Sequence, residues 1–388
     1  MRNNIRTLGL AILIAGLCVG RPAGAESDYY RHVIFDNSQQ LNVYWQSSAT
    51  QTAPSQLQSV GYRLPVESKM FRTPPNALRI EWQSAPGGTW DAQIQLVNFP
   101  NRYPELKGHT LYFWVYSPEP IAAADLPGVM LSDAREGLQV ATMPGSFTVE
   151  EPLATYTGGD LPAARWTEIR IPLAKARSAS VYKFHPERLQ SIILHQRKGD
   201  GARHVLIIDD IRVDDELPAN VMHMALPEPD HLSAKGYDRH IDVQWDAPAE
   251  SGADYYVIHR SIDSKPFVPV GIQRPGVNRF TDFIGRSGVT AKYKVAAAAF
   301  SWPDFQVMSP SAVSATTREM TDDELLTMLQ EAAFRYYWEA SGVNTAMAHE
   351  NVPGDDRIVA TGATGLGLSA LVAAVDRKFI TRDQGLER

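Results

Sequence analysis

The residues best suited to chemistry lie near the carboxyl end of the sequence. His349, Glu350 and Arg357 share one short segment, and a glycine-rich stretch, 361–370, follows it. An imidazole, a carboxylate and a guanidinium can together donate and accept hydrogen bonds with a polar ligand. Glycines at the start of a helix leave its first backbone N–H groups accessible as further donors. We therefore predict a polar ligand site on this segment; the alternative is a solvated loop with a helix cap.

Carboxylates are the second source of chemistry in this part of the chain. They are Glu339, Glu350, Asp355, Asp356 and Asp376. Acid–base hydrolysis needs two carboxyl groups at a defined separation, one as the acid and the other as the base or nucleophile. The spacing places none of these residues opposite a partner. The catalytic residues therefore stay unknown at this point.

The glycine-rich stretch also matches a cofactor motif, weakly. Gly365-x-Gly367-x-x-Ala370 fits the glycine turn of dinucleotide-binding proteins. The preceding apolar run, 358–360, is short for the strand that this motif requires, and no Lys-Ser/Thr pair ends the turn as in a phosphate-binding loop. We predict no cofactor, and no ligand spacing indicates a metal.

An aromatic row occurs much earlier in the chain. Alternation along the run 111–116 puts Tyr112, Trp114 and Tyr116 on one face of a strand. Such a row could be a platform for sugar rings. The alternative is a central strand that is buried on both faces.

Helices must position the carboxyl-terminal candidates. Thr321 and Glu324 form the sequence pattern of a capping box, and apolar residues at three-and-four spacing then run from Leu325 to Tyr337, with Trp338 at the helix end. A second helical pattern begins at about Thr364. The tetrapeptide 381–384 is typical of the cap of a third helix, so 320–388 is predicted to be helical.

Two β-rich segments precede these helices. Short alternating runs between 28 and 217 predict an antiparallel β-sandwich or jelly roll of the carbohydrate-binding type. Its closing run contains Asp209 and Asp210 and resembles the last strand of carbohydrate-binding jelly rolls, some of which hold a structural calcium. Adjacent carboxylates on a strand point to opposite faces, so at most one could bind such an ion. We assign no metal.

The segment 225–317 resembles a fibronectin type III domain. Trp245 would be its core indole, and Tyr293 lies near the position of a tyrosine corner. The resemblance implies a spacer or docking module.

The amino terminus and the charge restrict where the protein works. Residues 1–25 combine Arg2 and Arg6, an apolar run and Ala23-Gly24-Ala25, the pattern of a secretory signal peptide. The formal charge of −7 disfavours nucleic acid and anionic lipid as partners. The single cysteine, Cys18, lies within the signal, so no disulfide is expected in the mature chain. We predict a periplasmic or secreted bacterial protein that has no membrane partner after signal cleavage.

Four stretches together carry a family resemblance: 334–339, 349–351, 361–371 and 376–382. They resemble the opening of the bacterial glucoamylase-like glycoside hydrolases, which include enzymes acting on β-1,2-glucans. Similar proteins carry a jelly-roll-like and a fibronectin-like module upstream. The fold expected from this resemblance is multidomain, with two all-β sandwich modules followed by the start of an all-α (α/α)6 toroid.

The resemblance also implies a function. The chain would be the amino-terminal part of an exported glycoside hydrolase acting on a β-linked glucan, with β-1,2-glucan favoured. The acid and base carboxylates would then lie beyond Arg388, and the fragment alone would be inactive. Expected substrate-binding residues are Glu350, His349, Arg357, Trp338, Trp114 and Tyr116. The alternative is a non-catalytic protein that binds carbohydrate or acts in cell-surface interactions.

Overall fold

Short strands separated by turns form most of the chain. The computed structural model describes residues 29–388 apart from 30, 38, 40, 97–105, 134–145, 180, 216–225, 247–251, 301–304, 343–344 and 351–357. The predicted signal peptide and Arg357 therefore lie outside the described residues.

In its described residues, the first unit contains eleven strands, one short α-helix, α1 (Ala154–Thr157), and two 3-10 helices, Leu173–Lys175 and Pro186–Arg188. The strands are β1 Ser47–Thr52, β2 Gln56–Leu57, β3 Val66–Glu67, β4 Ala77–Gln83, β5 Thr89–Gln95, β6 Thr110–Tyr116, β7 Gly128–Asp133, β8 Glu151–Pro152, β9 Thr167–Pro172, β10 Leu189–His195 and β11 Arg203–Asp214.

These strands build two sheets in the described part of the chain. One sheet has five strands in the order β1-β5-β10-β7-β8, and the other has six, β2-β4-β11-β6-β9 with β3 beside β4. Side chains from both sheets, among them Trp82, Trp90 and Phe113, share one hydrophobic cluster. Facing sheets with a common core are compatible with the predicted β-sandwich.

Strand β6 shows the alternation expected from its sequence. Leu111, Phe113 and Val115 lie in the core between the sheets. Because successive side chains on a strand point to opposite sides, Tyr112 and Trp114 lie on the outer face of the six-stranded sheet. Tyr112 is nevertheless buried there, whereas Trp114 is half-buried.

Asp209 anchors a loop across that outer face. Its Oδ2 accepts the backbone N–H groups of Arg72 at 2.6 Å and Thr73 at 2.8 Å. Its Oδ1 accepts the Thr73 hydroxyl at 2.7 Å. This places the Arg72 guanidinium 3.7 Å from the centre of the Trp114 ring. Burial raises the pKa of Asp209 to about 7, although the bonds from Thr73 lower it.

A β-bulge follows Asp209. After it, the side chains of β11 alternate between the two faces of the sheet in a shifted order. The register with β6 shifts between Asp209 and Arg212, and Asp210 has a φ of 51°. Arg212 pairs with Asp210 at 3.3 Å and donates to the Phe300 carbonyl at 3.2 Å. The bulge therefore links the first unit to the second.

The second unit also consists of two sheets. Its strands are β12 Asp230–Gly236, β13 His240–Asp246, β14 Tyr255–Ile262, β15 Val268–Gln273, β16 Arg279–Phe283, β17 Thr290–Ala298, β18 Gln306–Met308 and β19 Val313–Thr316. Among the described residues the sheet orders are β12-β13-β16 and β15-β14-β17-β18, with β19 beside β17.

The core of this unit contains the predicted indole. Trp245 is buried and packs edge-on against Tyr256, with ring centroids 5.4 Å apart. Tyr293 is also buried, but its hydroxyl donates to the Asp282 carboxylate at 2.7 Å. A tyrosine corner would instead bond to the backbone, so Tyr293 departs from the pattern that suggested it.

A hydrophobic junction connects the two β units. Tyr29 and Val33, from the segment before β1, pack with Tyr255, Val257 and Phe300 of the second unit. The same segment hydrogen-bonds to the first unit, since Ile34 N–H donates to the Ile211 carbonyl at 2.9 Å. The segment therefore lies between both units.

The last residues form helices, as the capping patterns predict. They are α2 (Asp322–Glu339), α3 (Thr361–Asp376) and α4 (Arg382–Glu387). The predicted capping boxes at Thr321 and Thr381 are both present. Helix α3 begins at Thr361, three residues earlier than expected, so Gly362 also belongs to its first turn. An (α/α)6 toroid is not shown by these helices.

The helices bury only part of their apolar surface. Phe334, Ala374 and Ile380 form the packed seam between α2 and α3. Leu329 and Val372 belong to the predicted stripes, yet they are 52% and 73% exposed. Two helices share one seam, so a stripe wider than that seam stays at the surface. Within the described ranges, no helix is long and apolar enough to cross a membrane.

Replacing Asp209 by Asn should alter how stability depends on pH. The carboxyl has a pKa of about 7 when folded, against about 3.9 in an unfolded chain. Between these values the folded state binds more protons, so the free energy of unfolding falls as pH rises from about 4 to 7, by at most about 4 kcal/mol. Asp209→Asn should lack this decline.

The measurement is urea unfolding of both proteins at several pH values, followed by tryptophan fluorescence. Glu119→Gln, at an exposed position of the same unit, is the control and should keep the wild-type slope. If the free energy of unfolding depended on pH in the same way in wild type and Asp209→Asn, the raised pKa of Asp209 would be contradicted.

Candidate functional site

The loop between α2 and α3 carries two of the predicted ligand-binding residues. We call residues 341–360 the hairpin loop; its segments 343–344 and 351–357 lie outside the described residues. The His349 N–H donates to the Ala340 carbonyl at 2.9 Å, and the Glu350 N–H donates to the Ile358 carbonyl at 3.2 Å. Backbone bonds therefore hold both residues beside the end of α2.

Tyr336 of α2 contacts the same part of the hairpin loop. Its hydroxyl donates to the His349 carbonyl. Burial raises the pKa of the Tyr336 phenol, with smaller contributions from Tyr337 and from the charge of Glu350. The Glu350 side chain itself is exposed. The loop presents a carboxylate beside a fixed aromatic pair.

The start of α3 forms the other side of the loop. The N-cap residue, Ala360, makes no side-chain cap, and the first turn holds no acidic residue. The Thr364 hydroxyl accepts the Ala348 N–H at 3.1 Å, which ties the helix to the loop. Unoccupied first-turn N–H groups carry partial positive charge and can donate to a hydroxyl or an anion.

Trp338 lies in the helical seam. Its ring stacks on Phe334 with centroids 5.8 Å apart, and the Arg388 guanidinium lies 5.5 Å from its centre. The next residue, Glu339, accepts a two-pronged hydrogen bond from Arg279 of the second unit, with Nη2 to Oε2 at 2.7 Å. These contacts give Trp338 a packing role, and sugar binding by it stays a prediction.

The other predicted residues are not brought to this loop. Trp114 and Tyr116 lie on β6 of the first unit, where Arg72 covers one face of Trp114. Sequence reasoning missed Tyr336, Tyr337 and Thr364 as parts of the loop site. The two tyrosines carry the helical spacing of a packing stripe, so their pattern held no signal of a second role.

The glycine motif has a packing function. Gly367 lies inside α3, and a Cβ on it would lie 3.0 Å from Cδ1 of Tyr337. Gly365 has no neighbour that a Cβ would meet within 4 Å. A dinucleotide turn requires a strand, a loop and then a helix. These glycines belong instead to a continuous helix, and one of them permits close contact with α2.

The acidic pair in β11 is used within the protein. Asp209 accepts hydrogen bonds from the Thr73 region and Asp210 pairs with Arg212. Among the described residues no group of three or more His, Cys, Asp or Glu side chains is placed to hold a metal ion.

Comparison with known proteins places these features in context. The chain is 35% identical over 377 residues to an exo β-1,2-glucooligosaccharide sophorohydrolase (non-reducing end) from Parabacteroides distasonis, covering 97% of this chain and 50% of that protein. It also superimposes on the crystal structure of a β-1,2-glucanase from Parabacteroides distasonis with a TM-score of 0.76. That match has 36% identity and covers 93% of this chain and 49% of the other. No family model matches the sequence.

These matches establish homology to a glycoside hydrolase along almost the whole chain. The chain spans about half the length of the relatives it matches. The superposition includes both β units and the helical region together, because it covers 93% of the residues. The combination of two β units and a helical hairpin is therefore shared with that structure.

Alanine at the two glycines should affect helix stability to different extents. Gly365→Ala should stabilise the helix by about 0.5–1 kcal/mol through its higher helix propensity, because the new methyl group meets no neighbouring atom. Gly367→Ala gains the same propensity but pushes its methyl group against the Tyr337 ring. We expect amide hydrogen exchange in α3 to slow in Gly365→Ala and to slow less, or not at all, in Gly367→Ala. Equal protection in both variants would show that the close contact with Tyr337 is absent.

Proposed function

We propose that this chain is part of a glycoside hydrolase acting on β-1,2-linked glucan. The observation that carries this proposal is the 35% identity with a sophorohydrolase across 97% of the chain. The sequence identity extends over both β units and the helical hairpin. This favours a protein with the same activity over one that shares only a single domain with the relative. The substrate is thus a neutral chain of glucose units, and no nucleic acid is involved.

The hairpin loop is our candidate for one wall of the sugar cleft. The exposed Glu350 carboxylate can accept hydrogen bonds from sugar hydroxyls, and backbone N–H groups in the first turn of α3 can donate to them. His349 is half-buried, with its backbone fixed at both polar atoms. We assign Glu350, His349 and Arg357 to substrate binding, and Trp338 to support of the loop through its helix.

Cleavage needs a pair of carboxyl groups that flank the glycosidic bond. We propose that this pair lies outside the 388 residues, since the relatives are about twice as long. Further helical hairpins would complete an (α/α)6 toroid and cover exposed apolar residues such as Leu329 and Val372.

The remaining assignments follow the sequence patterns. We propose that residues 1–25 are a signal peptide and that the protein works in the periplasm or outside the cell. The first unit would be a carbohydrate-binding type of jelly roll, and the second a fibronectin type III-like spacer. Secretion is tested by amino-terminal sequencing of the mature protein from cell fractions.

Product analysis tests the proposed activity. Linear β-1,2-glucan, β-1,2-gluco-oligosaccharides and an α-1,4-glucan are incubated with this chain and with the gene product extended past Arg388. We expect hydrolysis of the β-1,2-linked substrates by the extended protein, with disaccharide detected by chromatography. Hydrolysis of α-1,4-glucan alone would overturn the linkage. Binding without any hydrolysis would favour a non-catalytic carbohydrate-binding protein.

Glu350→Gln in the active protein should weaken substrate binding. The substitution removes the negative charge of the acceptor, so a strong hydrogen bond to the substrate is lost. We expect kcat/KM to fall about tenfold, mainly because KM rises. Glu387→Gln, an exposed carboxylate on α4, is the matched control and should leave both constants unchanged. A fall in kcat of several thousandfold would instead place Glu350 in the catalytic pair.

A further inference from the structure

The outer face of the six-stranded sheet divides into a covered half and an open half. On the covered half, Arg72 lies over Trp114 and the Arg212 guanidinium lies 4.8 Å from the centre of the Tyr112 ring. On the open half, Tyr116 at the end of β6 is half-buried, as Trp114 is. The two halves therefore differ in the groups that contact them, and Tyr116 keeps part of its surface exposed.

Trp166 extends this open end. It directly precedes β9, and the pairing of Val115 with Thr167 places it beside Tyr116. The two rings have centroids 5.4 Å apart and an angle of 48° between their planes. Both side chains are half-exposed, so together they form an apolar corner that solvent reaches.

The same row continues across two more strands. Ile207 of β11 pairs with Tyr116 on one side and with Arg79 of β4 on the other. Trp166, Tyr116, Ile207 and Arg79 therefore lie side by side across four strands. Three spacings of about 4.8 Å make the row about 14 Å long. Ile207 is buried and forms its floor.

A network of charged groups forms the far end. Arg79 Nη1 donates to Glu67 at 3.1 Å and its Nη2 donates to Glu81 at 2.8 Å. Arg203 donates to the other oxygen of Glu81. Two guanidinium groups and two carboxylates balance in charge, and they hold one another in fixed positions. This end offers both donors and acceptors without a net charge.

We propose that this row, from Trp166 to Arg79, is a glucan-binding face separate from the hairpin loop. Aromatic rings offer flat apolar surfaces that suit the C–H faces of sugar rings. The balanced network suits the hydroxyl groups of a neutral chain better than an anion or a cation. The inference rests on the proposed glucan substrate, and it adds Trp166 and Arg79 to the binding residues.

Affinity gel electrophoresis with linear β-1,2-glucan in the gel tests the face. Trp166→Ala and Tyr116→Ala should each raise the dissociation constant about tenfold, the loss expected for one aromatic contact. Trp166→Phe keeps a ring and should restore most of the retardation. Trp45→Ala is the matched control, because Trp45 is an exposed aromatic residue of the same unit outside this row.

The outcomes separate this proposal from the proposed activity. Retardation that depends on Trp166, by any neutral glucan, supports the face even if no hydrolysis is detected. No retardation by β-1,2-, β-1,3-, β-1,4- or α-1,4-glucan overturns the face, even if the extended protein hydrolyses oligosaccharides. Retardation that is equal in wild type and Trp166→Ala overturns it as well, because binding then occurs elsewhere.

Discussion

A buried carboxylate organises the first unit and its neighbours. Asp209 has no exposed surface, so its charge is stable inside the protein only if hydrogen-bond donors surround it. The donors come from the backbone of Arg72 and Thr73, the Thr73 hydroxyl and the Asp210 N–H. Meeting this requirement fixes a loop on the sheet, and the bulge at the same place directs Arg212 toward the second unit.

The surface chemistry of the sheet follows from that constraint. Because the loop is fixed, Arg72 covers Trp114, and Arg212 lies close to Tyr112. The aromatic row is therefore divided by its contacts, with guanidinium groups at Tyr112 and Trp114 and the Trp166 ring at Tyr116. A guanidinium stacked on an indole is favourable in itself. The covered half of the row is therefore a structural contact between loop and sheet.

Local signals in the sequence predicted local structure well. Both capping boxes involve residues three positions apart, and the alternation of β6 needs only its own residues. Contacts between distant residues could not be read in this way. Nothing near Trp114 indicates that Arg72 will cover it, and nothing near Gly367 indicates a contact with Tyr337. The candidate loop was located from its residue types, whereas Tyr336 became part of it only through folding.

The ionisation of the described carboxyl groups bears on the proposed cleavage reaction. A catalytic acid needs a raised pKa together with access to the substrate. Burial raises the pKa of Asp209 and Asp210, but both side chains are enclosed in the β region. In the helical region, the hydrogen bond from Arg318 lowers the pKa of Glu324 to about 2.

Glu339 forms an ion pair with Arg279. The Glu350 side chain, by contrast, is exposed and accessible to a ligand. Recognition of sugar hydroxyls needs only access and fixed position. Among the described helical residues, Glu350 combines exposure with a backbone position that hydrogen bonds fix.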